Sequence, residues 1–258
     1  MSRLFRLKEK LMNLEPVLGT TITSVKWSGL VQKAAQYPLD FILFDLEHGT
    51  LSIEGIEESL RICRLTDLPS IVRVPDSVPN IISKTLDMGA DGLLLPRIEK
   101  AEQVEIAVRA ARYFPRGRKG CGGFSNFRPE DESSTDRYND NRMIFIQMES
   151  DEGLKMLPSI LSKFKAELSG VIIGPYDASI MYGTPLNIKS DVIKNFIKKV
   201  FSICRQENIS CGIFVDNRSM IQGYRELGAN IFWVGSEISF ICESYAALCE
   251  SFKEAIEE

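Results

Sequence analysis

The segment Phe44-Asp45-Leu46-Glu47-His48-Gly49 contains the only histidine of the chain, set beside two acids. A carboxylate bonded to one ring nitrogen orients an imidazole and raises its basicity, so His48 with Asp45 would make a general base near neutral pH. Two further acids, Glu149 in Gln147-Met148-Glu149-Ser150 and Asp177 in Gly174-Pro175-Tyr176-Asp177, each follow a short apolar run. Either acid alone reads better as a helix cap or loop anchor. Together, with water or substrate oxygens completing an octahedron, they form a donor set for a hard divalent cation such as magnesium or manganese. Arg73, in Ile71-Val72-Arg73-Val74-Pro75, places a guanidinium inside an apolar run. Its planar fork suits a substrate carboxylate, or an internal pair with Asp45 or Glu47.

A (β/α)8 TIM barrel would bring these residues together, because its active site is built at the C-terminal strand ends and the loops that follow them. Eight short apolar runs recur: Val17 to Thr23, Asp40 to Glu47, Ser70 to Val74, Gly92 to Pro96, Met143 to Glu149, Val171 to Gly174, Cys211 to Val215 and Ile231 to Gly235. They are mostly unalternated, as expected of parallel strands covered on both faces. Stretches of helical periodicity alternate with them: Lys26 to Tyr37, Ser52 to Thr66, Val78 to Met88, Ala101 to Tyr113, Gly153 to Glu167, Asp191 to Asn208, Arg218 to Leu227 and Glu237 to Ile256. Eight such units, with no GxGxxG after the first run, favour closure over an open doubly wound sheet. Glu149 and Asp177 then end neighbouring strands, about 4.8 Å apart in a sheet, and can converge on one cation. No lysine falls at a strand end, since Lys84, Lys100 and Lys155 lie on helices or loops, which disfavours a Schiff base.

One interval, Phe114 to Asn141, breaks the rhythm. Loops of this length are usually functional or disordered. Its basic first part, Pro115 to Gly123, reads either as a face for an anionic ligand or neighbouring subunit or as a solvated connector.

The 258 residues, 44% hydrophobic, suit a single domain spanning 1–258. A formal charge of -4 argues against nucleic acid and for a small soluble metabolite. There is no apolar stretch of membrane-span length and no signal-peptide pattern at Met1 to Lys10, so neither a membrane partner nor export is expected. Six cysteines without CxxC spacing read as reduced thiols of a cytoplasmic protein, with Cys204, Cys242 and Cys249 expected as small buried hydrophobes on helices and Cys121 as the one to test for reactivity.

Together these segments resemble the HpcH/HpaI aldolase family, the metal-dependent class II pyruvate aldolases. The resemblance covers almost the whole chain and is dense at FDLEHGT (44–50), VRVP (72–75), residues 86–123, QMES (147–150) and GPYDAS (174–179). It implies a TIM barrel of the phosphoenolpyruvate/pyruvate type that reversibly cleaves a 4-hydroxy-2-oxo acid to pyruvate and an aldehyde through a metal-stabilised enolate. Glu149 and Asp177 would be the metal ligands, for magnesium or manganese with cobalt a further option. Arg73 would hold the pyruvate carboxylate and keto oxygen, His48 would be the acid/base, Asp45 its orienting partner, and Gly174, Pro175 and Tyr176 would line the substrate site. Asp87 would be a further catalytic acid, matching one of the family active site whose role is often tied to the neighbouring subunit. The resemblance also implies a homo-hexamer, a trimer of dimers, with helix 237–256 exchanged between subunits. Rivals on the same scaffold are citrate-synthase-like condensation of a 2-oxo acid and oxaloacetate decarboxylation; a non-catalytic sensing barrel is disfavoured by the intact metal and arginine set. This chain departs from the family pattern at Tyr176, where a small residue is common, at Ser169-Gly170, where an aspartate is usual, and along Lys119 to Phe127. The departures fall on the second substrate's half.

Overall fold

The computed structural model describes residues 1–122 and 127–257. Eight parallel strands close into one barrel in sequence order: β1 (Val17–Ile22), β2 (Phe41–Asp45), β3 (Ser70–Arg73), β4 (Gly92–Leu95), β5 (Met143–Met148), β6 (Gly170–Ile173), β7 (Cys211–Val215) and β8 (Ile231–Ser236). Closure is made by β8 against β1, Val17 opposite Ile231, with a register shift between Gly19 and Thr21. Helices α2 (Ser28–Ala34), α3 (Glu57–Leu65), α4 (Pro79–Asp87) and α5 (Ala101–Ala111) follow the first four strands, and α7 (Asp151–Phe164), α9 (Asp191–Gln206), α10 (Ile221–Leu227) and α11 (Glu237–Glu257) the last four. The expected strands and helices are all present, shifted at their ends by a few residues.

Strands covered on both faces have two apolar environments to fill. Outside, residues such as Phe44, Val72, Leu93, Ile146 and Ile173 pack against the helices; inside, Phe41, Leu43, Ile71, Leu94, Phe145, Ile172 and Trp233 form a second cluster. The inner cluster is joined by Leu4, Leu7 and Leu11. These belong to a helix that the alternation of strands and helices does not contain, α1 (Arg3–Met12), whose leucines recur at helical spacing and whose start is capped by the Ser2 side chain. It plugs the end of the barrel from which the strands start.

Two further helices also lie outside the repeat: α6 (Thr135–Asn141) and α8 (Pro175–Met181). Among the described residues, much of the interval before β5 is packed by buried ion pairs. Arg128 clasps Asp91 through Nε and Nη2, both at 2.5 Å, and Arg142 bonds Asp131 at 2.7 Å, all four side chains buried. Arg116 is bound to Glu167 and Asp140, and Lys119 is buried against Asp87, so much of its basic start is spent internally. The part of the interval at Gly123–Asn126 lies outside the described residues.

The cysteine expectation holds for Cys204 and fails for Cys242 and Cys249, which are exposed, as is Cys121. Both belong to α11, whose residues from Ile241 to Ile256 are exposed. Tyr245, Leu248, Phe252 and Ile256 are each more than 60% exposed. Its first two turns are held: Glu237 accepts hydrogen bonds from the backbone N–H groups of Thr23, Ser24 and Val25, and Arg218 pairs with Glu243 at 2.8 Å and lies over Phe240.

Candidate active site

At the C-terminal strand ends lies a cavity of about 230 Å³, lined by Thr21, Asp45, His48, Arg73, Gln147, Gly174, Pro175, Tyr176, Asp177, Phe214 and Trp233 among others. That is below the roughly 300–1,000 Å³ of drug-sized sites and suits a small metabolite. A larger cavity of about 520 Å³ lies beside α11, lined by Leu18, Ile22, Leu30, Ile42, Val234 and Ile241. It is apolar, and its one acid, Glu237, is consumed by backbone donors. The smaller cavity is the one with converging chemistry.

Arg73 ends β3 and is 5% exposed. Its neighbour in register on β2 is Asp45, which receives Nε at 2.9 Å and Nη2 at 2.5 Å. Burial alone would lower the guanidinium pKa; the hydrogen bond and charge of Asp45, with Glu47, more than offset this and hold it charged. The fork is therefore fixed on one edge, while Nη1 faces Gln147 Oε1 at 3.5 Å and Glu47 Oε2 at 3.4 Å. The guanidinium also lies over the Trp233 ring, 5.1 Å from its centroid.

This arrangement corrects one expectation. Asp45 serves Arg73 and, through Oδ1, the backbone N–H groups of Glu47 and His48; no hydrogen bond joins it to the His48 ring. The β2 loop curls back over Asp45, so the carboxylate fixes the histidine's backbone and the ring stands free. The ring is half exposed, with Nε2 3.9 Å from both Glu47 Oε2 and Asp177 Oδ1. Gly49 closes this turn at φ +93°, where a Cβ would meet the Thr23 carbonyl oxygen at 2.4 Å.

Glu149 follows β5 and is 3% exposed; Oε1 accepts from the Arg97 N–H at 2.8 Å and Oε2 from Gln147 Nε2 at 2.7 Å. It caps no helix, because Ser150 does that for α7. Its carboxyl is pushed up to about 8, first by burial and then by the charges of Asp177 and Glu47. Glu47 is also raised, chiefly by burial, and its Oε2 is buried without a hydrogen-bond partner among the described residues. Gly174 makes room for this packing, since a Cβ there would stand 2.5 Å from both Gln147 Nε2 and Glu149 Oε2. Asp177 lies in the first turn of α8. Three carboxylates thus share the mouth; Glu47 pairs with Arg97 at 3.2 Å and Arg73 at 3.4 Å, while among the described residues no lysine or arginine pairs with Glu149 or Asp177, and this fits a divalent cation, whose charge would relieve their repulsion. Among the described residues no set of three or more histidine, cysteine or acidic side chains is preformed around one metal position, so water or substrate would have to complete the shell.

Asp87 is not brought to this mouth. It ends α4, at the opposite end of the barrel, beside Lys119. Residues that sequence reasoning left without a site role include Glu47, Gln147, Phe214 and Trp233. Gln147 had a signal, a lone amide in the apolar run Met143–Met148; Phe214 and Trp233 read as ordinary core.

Residues 26–243 match the HpcH/HpaI aldolase/citrate lyase family. The chain is 31% identical over 217 residues to a 4-hydroxy-2-oxo-heptane-1,7-dioate aldolase of Klebsiella pneumoniae, covering 83% of this chain and 81% of the relative. It is 29% identical over 225 residues to a hydroxypyruvate/pyruvate aldolase of Roseobacter denitrificans, covering 83% and 84%. The fold is shared with the crystal structure of an HpcH/HpaI aldolase from Desulfitobacterium hafniense, with a TM-score of 0.88 at 24% identity over 96% of each chain.

Proposed function

The chain belongs to the HpcH/HpaI aldolase/citrate lyase family, and on that premise we propose that it is a carbon–carbon lyase that reversibly cleaves a 4-hydroxy-2-oxo acid to pyruvate and an aldehyde. The observation that carries this reading is Arg73, locked by Asp45 on one edge and lining a cavity whose rim carries an under-neutralised group of carboxylates. Glu149 and Asp177 would hold a divalent cation, magnesium or manganese. When bound, it supplies positive charge to the 2-oxo acid's oxygens as the enolate develops.

The chain's own groups do the rest. Arg73 takes the substrate carboxylate with its Nη1 side, where its contacts to Gln147 and Glu47 are long, and Asp45 keeps that side aimed. His48, working through a water, accepts the C4 hydroxyl proton as the C3–C4 bond breaks. The bonding pair passes to the enolate, the aldehyde leaves, and a proton delivered to C3 completes pyruvate. No lysine lines the cavity among the described residues, which supports the enolate route over a Schiff base. The test is product analysis with manganese present: pyruvate plus aldehydes should give 4-hydroxy-2-oxo acids. Turnover of acetyl-CoA with oxaloacetate and none with aldehydes would instead favour a citrate-synthase-like activity.

The protein also works, in this reading, as a homo-oligomer, a hexamer built as a trimer of dimers. The support is complementary: α11 exposes an apolar face, while the groove beside its first turns, over β1, β2 and β8, stays uncovered. A second copy's α11 supplies the missing cover, an exchange that closes symmetrically. Assembly of this kind would also let Asp87 approach a neighbour's mouth. Light scattering at micromolar concentration should give the hexamer, and Leu248→Glu with Phe252→Glu should give smaller species; a wild-type monomer would refute it. No helix among the described residues is long and apolar enough to cross a membrane, and six free thiols support a cytoplasmic setting.

A further inference from the structure

An aromatic row runs from Arg73 to the rim of the cavity. The guanidinium lies over Trp233; Trp233 meets Phe214 edge-on at 5.1 Å between centroids, and Phe214 meets Tyr176 edge-on at 6.1 Å. At the outer end the Tyr176 hydroxyl donates to the carboxylate of Asp216, an exposed residue directly after β7. Trp233, Phe214 and Tyr176 all line the cavity.

The charge along this row is one-sided. Arg73 is the only lysine or arginine among the described lining residues. If it is engaged by the 2-oxo acid, the polar groups left for a second substrate include the Thr21 hydroxyl and the Trp233 N–H, both buried without a hydrogen-bond partner among the described residues. These are neutral. Beyond them at the rim stands a carboxylate, held in place by Tyr176. An acceptor with its own distal carboxylate would meet repulsion and find no second lysine or arginine among the described lining residues, whereas a short neutral aldehyde meets aromatic surface and neutral polar groups.

We propose that Tyr176 and Asp216 form an acceptor-selecting rim that admits short, uncharged aldehydes and rejects aldehydes bearing a second carboxylate. The inference rests on the aldolase reading and adds the class of its second substrate. Asp216 acts on selectivity, by charge. Tyr176 acts by narrowing the opening and by fixing where that charge sits.

The experiment has two readouts on the full-length protein with manganese. The first is exchange of the pyruvate C3 protons in deuterium oxide without any acceptor, which reports the donor half alone. The second is competition between propionaldehyde and succinic semialdehyde for the enolate, read as a ratio of products. The wild type should exchange and prefer propionaldehyde. Asp216→Asn should move the ratio toward the semialdehyde by roughly fivefold, and Asp216→Lys by on the order of tenfold or more, since a full charge is removed or reversed near the rim. Tyr176→Ala should raise use of hexanal relative to propionaldehyde by about tenfold, as the opening widens. Exchange with no preference for the neutral aldehyde, or with a ratio unmoved by both Asp216 variants, overturns the rim and leaves the aldolase reading standing. Absence of exchange in the wild type overturns the aldolase reading, and the rim falls with it.

Discussion

Buried acids occur at both ends of this barrel, and their surroundings are opposite. Asp91, just before β4 at the end plugged by α1, is fully buried, yet its carboxyl is held below the usual aspartate range: burial opposes this, and the charge and twin hydrogen bonds of Arg128 overcome it. Glu149, just after β5 at the other end, is also buried, and its carboxyl is pushed up to about 8, first by that burial and then by the charges of Asp177 and Glu47. Desolvation is common to both; the difference is the supply of countercharge. A matched buried pair that lines no cavity, such as Asp91 with Arg128, belongs to stability. An unmatched group at the C-terminal strand ends is placed to receive a ligand that brings the charge.

If that division is right, substitutions at the mouth should cost activity with little stability, and those at the plugged end the reverse. The largest effect should come from His48→Ala, with aldol cleavage falling about 10²–10⁴-fold, the usual worth of a general base. Metal binding and some oxaloacetate decarboxylation should survive, because decarboxylation reaches the enolate without the hydroxyl proton transfer. Equal loss of both activities in a folded variant would assign His48 to the shared enolate step instead. Arg73→Lys keeps the charge and loses the fork, and should lower turnover of a 2-oxo acid about 10²–10³-fold with the fold retained. Near-normal oxaloacetate turnover at saturating metal would remove the clamp.

The comparison sharpens in stability. Asp91→Asn leaves the buried Arg128 with only its longer pairing to Asp67 at 3.6 Å, and chemical denaturation should show a loss of about 3–5 kcal/mol. Glu149→Gln removes like-charge repulsion, so without added metal it should unfold no earlier than the wild type. A large destabilisation by Glu149→Gln, or none by Asp91→Asn, would break the contrast. The smallest effect is in acid. Asp91 has a depressed folded pKa, so its contribution is complete above the ordinary aspartate range and is lost as pH falls through the folded value. The acid limb of a plot of Tm against pH should therefore be shallower in Asp91→Asn than in the wild type.

The barrel was legible in sequence because β/α alternation repeats eight times and strands buried on both faces lose their polar positions. Helix α1 was not, because ten residues alternating basic and apolar side chains look like a surface helix until a barrel end exists for Leu4, Leu7 and Leu11 to fill. The strand-end rule placed Asp45, His48, Arg73, Glu149 and Asp177 at one mouth, and these residues are found there. Pairing was harder to read. Asp45 is three residues from His48 in sequence but level with Arg73 across the β2–β3 ladder, and the ladder decides which partner its carboxylate meets. Cys242 and Cys249 of α11, expected buried, are exposed in the single chain for a complementary reason: an amphipathic pattern says that a face must be covered, and cannot say by which chain.

The most direct test of the mouth as a cation site is calorimetric titration of the metal-stripped protein with manganese. One site per chain is expected for the wild type, with binding weakened together with activity in both Glu149→Ala and Asp177→Ala, since two protein ligands leave little redundancy. Unchanged affinity in both variants would contradict the assignment.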